Sequence, residues 1–108
     1  MDFKEYQKKS RKTAKYSQES RFAYLPLGLA GEAGEVAEKF KKIIRDKDGK
    51  IDDDTKKEIS KELGDVLWYV AQLSTELGLE MDDVAKNNIE KLYSRLERGV
   101  IQGDGDNR

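Results

Sequence analysis

Apolar residues recur every three or four positions through the long middle of this chain, and that period is the signature of amphipathic helices. Leu29, Ala33, Val36, Phe40 and Ile43 set out one stripe, for a helix from about Pro26 to Arg45; Ile59, Leu63, Val66, Val70, Leu73 and Leu77 set out another, from about Thr55 to Leu77. Phe3, Tyr6 and Ala14 give a partial stripe to a first helix, Asp2 to Tyr16, and Val84, Ile89 and Leu92 or Leu96 an apolar side to a fourth, Met81 to Arg98. The punctuation agrees. Asp2 with Glu5 and Thr55 with Glu58 have capping-box spacing, Pro26 suits a first helical turn, and Gly78 suits a helix stop. Asp82 and Asp83 favour the positive end of the last helix. The expected fold is all-α, a four-helix bundle-type subunit, with residues 1–98 as a single domain and 99–108 as an extended or mobile Gly-rich tail.

Across Leu67, Trp68, Tyr69 and Val70 the third helix is apolar nearly all the way round, and Trp68 stands about 180° from the core stripe. A helix apolar on every side is buried on every side. The chain has 108 residues, 40% of them charged and 36% hydrophobic, against roughly 25% charged in an average domain. So small and polar a chain builds a thin core alone. A homo-oligomer, dimer or tetramer, is therefore expected, with Trp68 at the subunit interface.

There is no cysteine and no histidine. That excludes thiol nucleophiles, thiolate metal sites, the Ser-His-Asp triad, and the E-x-x-H motifs of di-iron bundles. Any metal must sit on oxygen ligands. A net charge of −1 and the lack of a reading motif argue against a nucleic acid partner, although the first helix is basic. No stretch has the length or apolarity of a membrane span and the start is no signal peptide, so the expectation is cytoplasmic, with no membrane partner. Asp46 to Asp52 resembles the middle of a calcium loop, but Ile44 and Thr55 fall where its first and twelfth ligands belong. It is expected to be a polar turn.

The chemistry gathers in Glu32 and Glu35 on one helix and Glu62 and Asp65 on the next. Each pair is three residues apart and shares a helix face. The pairs sit at equal offsets, about 60° and 120°, from their core stripes. Parallel packing would place them on opposite sides; antiparallel packing, usual for consecutive helices, makes all four converge. Such a cluster is repulsive unless it holds protons or a cation, and oxygen donors without histidine select Mg²⁺ or Mn²⁺. The other view is a solvated face screened by Lys39, Lys41, Lys42, Lys57 and Lys61. Gly28, Gly31 and Gly34 favour the first view, since each weakens a helix by about 1 kcal/mol relative to Ala and suits a close approach by partner or ligand.

The runs LGLAGEAGEVAEKFKK, KELGDVLWYVAQL and NNIEKLYSR, with the closing GDGDNR, resemble the MazG-like nucleotide pyrophosphohydrolases of the all-α NTP pyrophosphatase group, over roughly Tyr24 to Arg108. The resemblance implies Mg²⁺-dependent hydrolysis of nucleoside triphosphates, often deoxy or modified ones, to monophosphate and pyrophosphate. It makes Glu32, Glu35, Glu62 and Asp65 the metal ligands, and Glu38 a further ligand, a water-orienting base or a solvated residue. Asn88 and Lys91 would reach phosphates or sugar, joined by Arg95 on the same face. Tyr69, one turn beyond Asp65, would line a nucleoside pocket, with Tyr16 and Gln7 as base contacts. The competing class is a non-catalytic helical oligomerisation or regulatory module, whose glutamates pair with lysines across an interface.

Overall fold

The computed structural model describes residues 1–108 as four α-helices and no strand: α1 (Phe3–Arg11), α2 (Arg21–Lys47), α3 (Asp53–Glu76) and α4 (Met81–Glu97). α1 is shorter than its sequence implies. The amides of Thr13 and Ala14 bond only three residues back, to the Ser10 and Arg11 carbonyls, which tightens and ends the helix. Tyr16 consequently lies in the strap of residues 12–20 between α1 and α2.

α2 begins five residues before Pro26, which sits inside the helix rather than in its first turn. The missing Pro26 amide leaves the Phe22 carbonyl without a partner in the ladder. α3 starts under Asp52, not Thr55: Asp52 Oδ1 accepts from the Thr55 amide at 2.8 Å. Thr55 itself is buried, its hydroxyl accepting from Lys47 Nζ at 2.9 Å. The helix closes before Gly78, whose φ of +71° is the left-handed stop. The turn from Asp48 and Gly49, at φ 52° and 75°, reverses the chain between α2 and α3.

α2 and α3 form an antiparallel hairpin. Lys47 meets Thr55 near the turn, Lys39 meets Glu58 at 3.5 Å, and Gly28 meets Tyr69 at the far end. α1 lies on the opposite side of α3, also antiparallel, through the pairs Gln7–Thr75, Ser10–Gln72 and Thr13–Trp68. That seam is polar, and fully buried Gln72 is satisfied within it by Ser10 and Arg11. Trp68, off the core stripe, is half-buried at the seam's end, where the indole N–H donates to Thr13 Oγ1 at 2.7 Å.

α4 leaves the hairpin and packs chiefly on α1, so the chain does not close into a four-helix bundle. Its Cα radius of gyration is 16.7 Å, against about 13 Å for a compact domain of this length. The expected core stripes are only partly covered. Leu25, Ile43, Ile59, Ala71 and Met81 are buried, while Leu63, Phe40 and Leu77 stay exposed, with Leu27 and Ile44 each 71% exposed. The tail is not extended. It folds back on α4, where Asp106 Oδ1 lies 3.0 Å from Lys91 Nζ and 3.3 Å from Arg95 Nη2, and Arg108 donates to the Val100 and Ile101 carbonyls.

Candidate metal centre and the aromatic wall beside it

Antiparallel packing of α2 and α3 brings three of the four carboxylates together. Glu32, Glu62 and Asp65 each place an oxygen within 4.8 Å of the other two. Glu35 stands one turn along, exposed and outside that group. No lysine or arginine pairs with any of the three; the nearby Lys39 is taken by Glu58. Burial first, then the charges of Asp65, Glu62 and Glu35, push the Glu32 carboxyl above its ordinary range. Such mutual repulsion favours either a retained proton or a bound cation. Three convergent hard oxygens fit Mg²⁺ or Mn²⁺ better than softer metals.

Glu38 is elsewhere. It forms an ion pair with Lys41 at 3.0 Å, and this hydrogen bond holds its carboxyl below the usual range. A carboxylate so committed is a poor water-orienting base, so the structure gives Glu38 a surface pairing rather than a place at the cluster.

Beside the carboxylates lies an open hollow lined by Glu32, Asp65, Thr13, Trp68 and Tyr69. Four aromatic rings stand behind it. Trp68 meets Tyr69 edge to face at 5.0 Å between centroids and Tyr16 at 6.4 Å, and Tyr16 stacks on Tyr24 at 5.6 Å. The Tyr69 ring covers Gly28 so closely that a side chain at that glycine would overlap it. Its hydroxyl is pushed up to about 12 by the Tyr24 hydrogen bond, burial and the neighbouring acids, so it stays a neutral phenol. Gly31 and Gly34, by contrast, have no neighbour within 4 Å.

The structure thus places Tyr69 in the hollow beside the carboxylates, Tyr16 behind it against Trp68 and Tyr24, and Gln7 away from it. The Gln7 amide is consumed structurally. It donates to Thr75 Oγ1 (3.0 Å) and the Leu79 carbonyl (2.8 Å), and accepts from the Met81 amide (2.9 Å), tying α1 to the start of α4. Asn88, Lys91 and Arg95 sit together on α4, which contributes nothing to the hollow's lining. Lys91 and the buried Arg95 are held there by Asp106. Thr13, Tyr24 and Trp68 were not legible as site residues. The one available signal was Gln7, Ser10 and Arg11 matched against Gln72, Thr75 and Glu76, two polar sets with the same i, i+3, i+4 spacing.

A family model for the MazG nucleotide pyrophosphohydrolase domain matches residues 21–100. The Gene 37 protein of Mycobacterium phage L5 is 55% identical over 86 residues, which cover 80% of this chain and 75% of that protein. No solved structure matches the chain. The match runs from the start of α2 to the end of α4 and contains all the clustered carboxylates: the chain belongs to the MazG nucleotide pyrophosphohydrolase domain family.

Proposed function

We propose that this protein hydrolyses nucleoside triphosphates, ribo or deoxy, between the α and β phosphates, releasing nucleoside monophosphate and pyrophosphate, with Mg²⁺ as its metal and Mn²⁺ as a substitute. The observation that carries this reading is the group of three mutually close carboxylates, Glu32, Glu62 and Asp65, without a cationic partner. These residues would hold the cation, with Glu35 as the fourth donor. A divalent cation there supplies charge neutralisation on the phosphate oxygens and makes water a better nucleophile.

The chain's own contribution is placement. Carboxylates on two packed helices would hold the cation that neutralises the reacting phosphate at the edge of the hollow. Trp68 and Tyr69 offer aromatic surface on which a nucleobase can stack, worth about 1–3 kcal/mol per base. No covalent nucleophile is required, in keeping with a chain that has neither Cys nor His.

Self-association belongs to the same proposal. It is supported by the exposed apolar side chains Leu27, Phe40, Ile44 and Leu63 on α2 and α3, and Ile89, Leu92, Tyr93 and Leu96 on α4, a surface of the kind that self-association covers. A second copy covering them as a dimer or tetramer would also be the means of bringing Asn88, Lys91 and Arg95 to a phosphate. Light scattering measures the mass directly.

The decisive experiment is pyrophosphate release from a panel of standard and modified nucleoside triphosphates, with Mg²⁺ and with EDTA, on the wild type and on Glu32→Gln. Metal-dependent formation of monophosphate and pyrophosphate, lost in the variant, establishes the activity. Absence of turnover on every nucleotide leaves a non-catalytic helical module as the function.

A further inference from the structure

Four donors from the first fifth of the chain converge on one carboxylate near the C-terminal end of α3. Glu76 is almost enclosed, its side chain only 9% exposed. Its Oε2 accepts from the Tyr16 hydroxyl in a short hydrogen bond, from Arg11 Nη1 and Nη2 at 3.3 Å and from Gln18 Nε2 at 3.2 Å; its Oε1 lies 3.8 Å from Arg21 Nε. Arg11 closes the set by donating to the Tyr16 oxygen at 2.5 Å. Arg11 ends α1, Arg21 begins α2, and Tyr16 and Gln18 belong to the strap between them. One side chain therefore fixes both ends and the middle of residues 12–20.

The strap has no regular backbone ladder of its own, so its course depends on such contacts. It also bears directly on the hollow. Thr13 lines the hollow and receives the Trp68 indole N–H, and Tyr16 packs against Trp68 and stacks on Tyr24. Glu76 lies eight residues beyond Trp68 on the same helix, about 12 Å along the axis, and does not line the hollow. A group at that distance acts on bound ligand only through the strap.

We propose that Glu76 is a positioning residue that clamps the strap of residues 12–20 against α3, and so sets the outer wall of the nucleoside pocket through Thr13 and Tyr16. This rests on the hydrolase reading above for the pocket's occupant, while the clamping itself does not. Releasing the clamp swings out the wall and loosens nucleoside binding, leaving the carboxylates on α2 and α3 in place. Substrate binding suffers and chemistry at the phosphate does not.

The test uses Glu76→Gln, which keeps shape but gives up the charge that holds Arg11 and Arg21, and Thr13→Val, which removes the strap's hydrogen bond to the indole together with the Thr13 hydroxyl's bond to the Ser10 carbonyl. Trp68 is the sole tryptophan, so its emission reports the wall without any nucleotide present. The expected result for Glu76→Gln is red-shifted Trp68 emission, KM for the best nucleotide raised about tenfold, and kcat within twofold of wild type. Thr13→Val should shift both readouts in the same direction by less. Unchanged emission, unchanged KM, or a fall in kcat at constant KM in Glu76→Gln overturns the proposal. If Glu76→Gln does not fold, Gln18→Ala, which removes one of the strap's own donors to Glu76, decides: red-shifted emission with raised KM supports the clamp, and both unchanged overturns it. A wild type that hydrolyses no nucleotide defeats the hydrolase reading instead; the emission shift then decides the clamp, and its absence overturns it.

Discussion

Gly28 on α2 lies directly under the ring of Tyr69 on α3, with room for a hydrogen and no room for a methyl group against the ring's Cε1 and Cζ. The contact sets how closely the two helices approach at the end of the hairpin that carries the aromatic wall. Alanine there would gain about 1 kcal/mol in helix propensity, against an overpacking cost of about 1–3 kcal/mol. The net expectation for Gly28→Ala is a lower melting temperature, by a few degrees, with Tyr69 displaced and KM raised. Gly31→Ala, facing open space, should raise the melting temperature instead. Thermal unfolding of the two variants checks the pair, and a destabilised Gly31→Ala would place an uncounted neighbour over that face.

Removing the Gln7 side chain strands three partners: the Thr75 hydroxyl, the Leu79 carbonyl and the Met81 amide. A buried polar group left unpaired costs about 1–3 kcal/mol. Gln7→Ala is expected to lower the unfolding free energy by about that amount, measured by urea denaturation, while KM for nucleotide stays within twofold. A base contact would give the reverse pattern, a raised KM with stability unchanged.

The sequence exposed what apolar periodicity can expose. The α2–α3 hairpin, its antiparallel sense and the convergence of Glu32 with Glu62 and Asp65 all follow from stripes and offsets, because apolar burial drives that packing. Trp68 stands away from the stripe, as its position in the helix implies, and the intrachain part of its cover was hidden for a definite reason. α1 docks on α3 through Gln7, Ser10 and Arg11 against Gln72, Thr75 and Glu76, and a polar seam leaves no apolar trace. The early start of α2 was hidden by Pro26, whose fixed φ suits a first turn and is here tolerated one turn deeper. Glu38 shares the helix and the three-residue spacing, but six residues past Glu32 it stands about 9 Å further along the axis, where it pairs with Lys41.

Asp52 caps α3, and the Thr55 amide and hydroxyl, followed by Lys47, lower its carboxyl from the ordinary 3.8 to about 2. A carboxyl with a lowered folded-state value favours folding when ionised. Its contribution is present above the unfolded value near 4 and is lost as pH falls through about 2. Asp52→Asn should therefore flatten the pH dependence of stability between about 4 and 2, with little effect on its slope above pH 5. Melting temperatures of wild type and variant across that range provide the check. Parallel curves would mean that the cap is not charge-dependent.

The carboxylate cluster makes a prediction about stability that needs no substrate. Glu32, Glu62 and Asp65 repel one another in the metal-free protein, so neutralising one of them should raise its melting temperature. A cation that binds the folded chain alone stabilises it by about 2.7 kcal/mol at 100 times its dissociation constant, on the order of 10 °C for a domain this size. EDTA-treated wild type should gain that increment when Mg²⁺ is added. Glu62→Gln should start higher and gain little, because the charge that repels its neighbours is the same charge that holds the ion. Equal Mg²⁺ increments in both proteins would detach the cation from this cluster. A Glu62→Gln protein that melts below the wild type in EDTA would mean that the three acids are held by partners rather than opposed to one another.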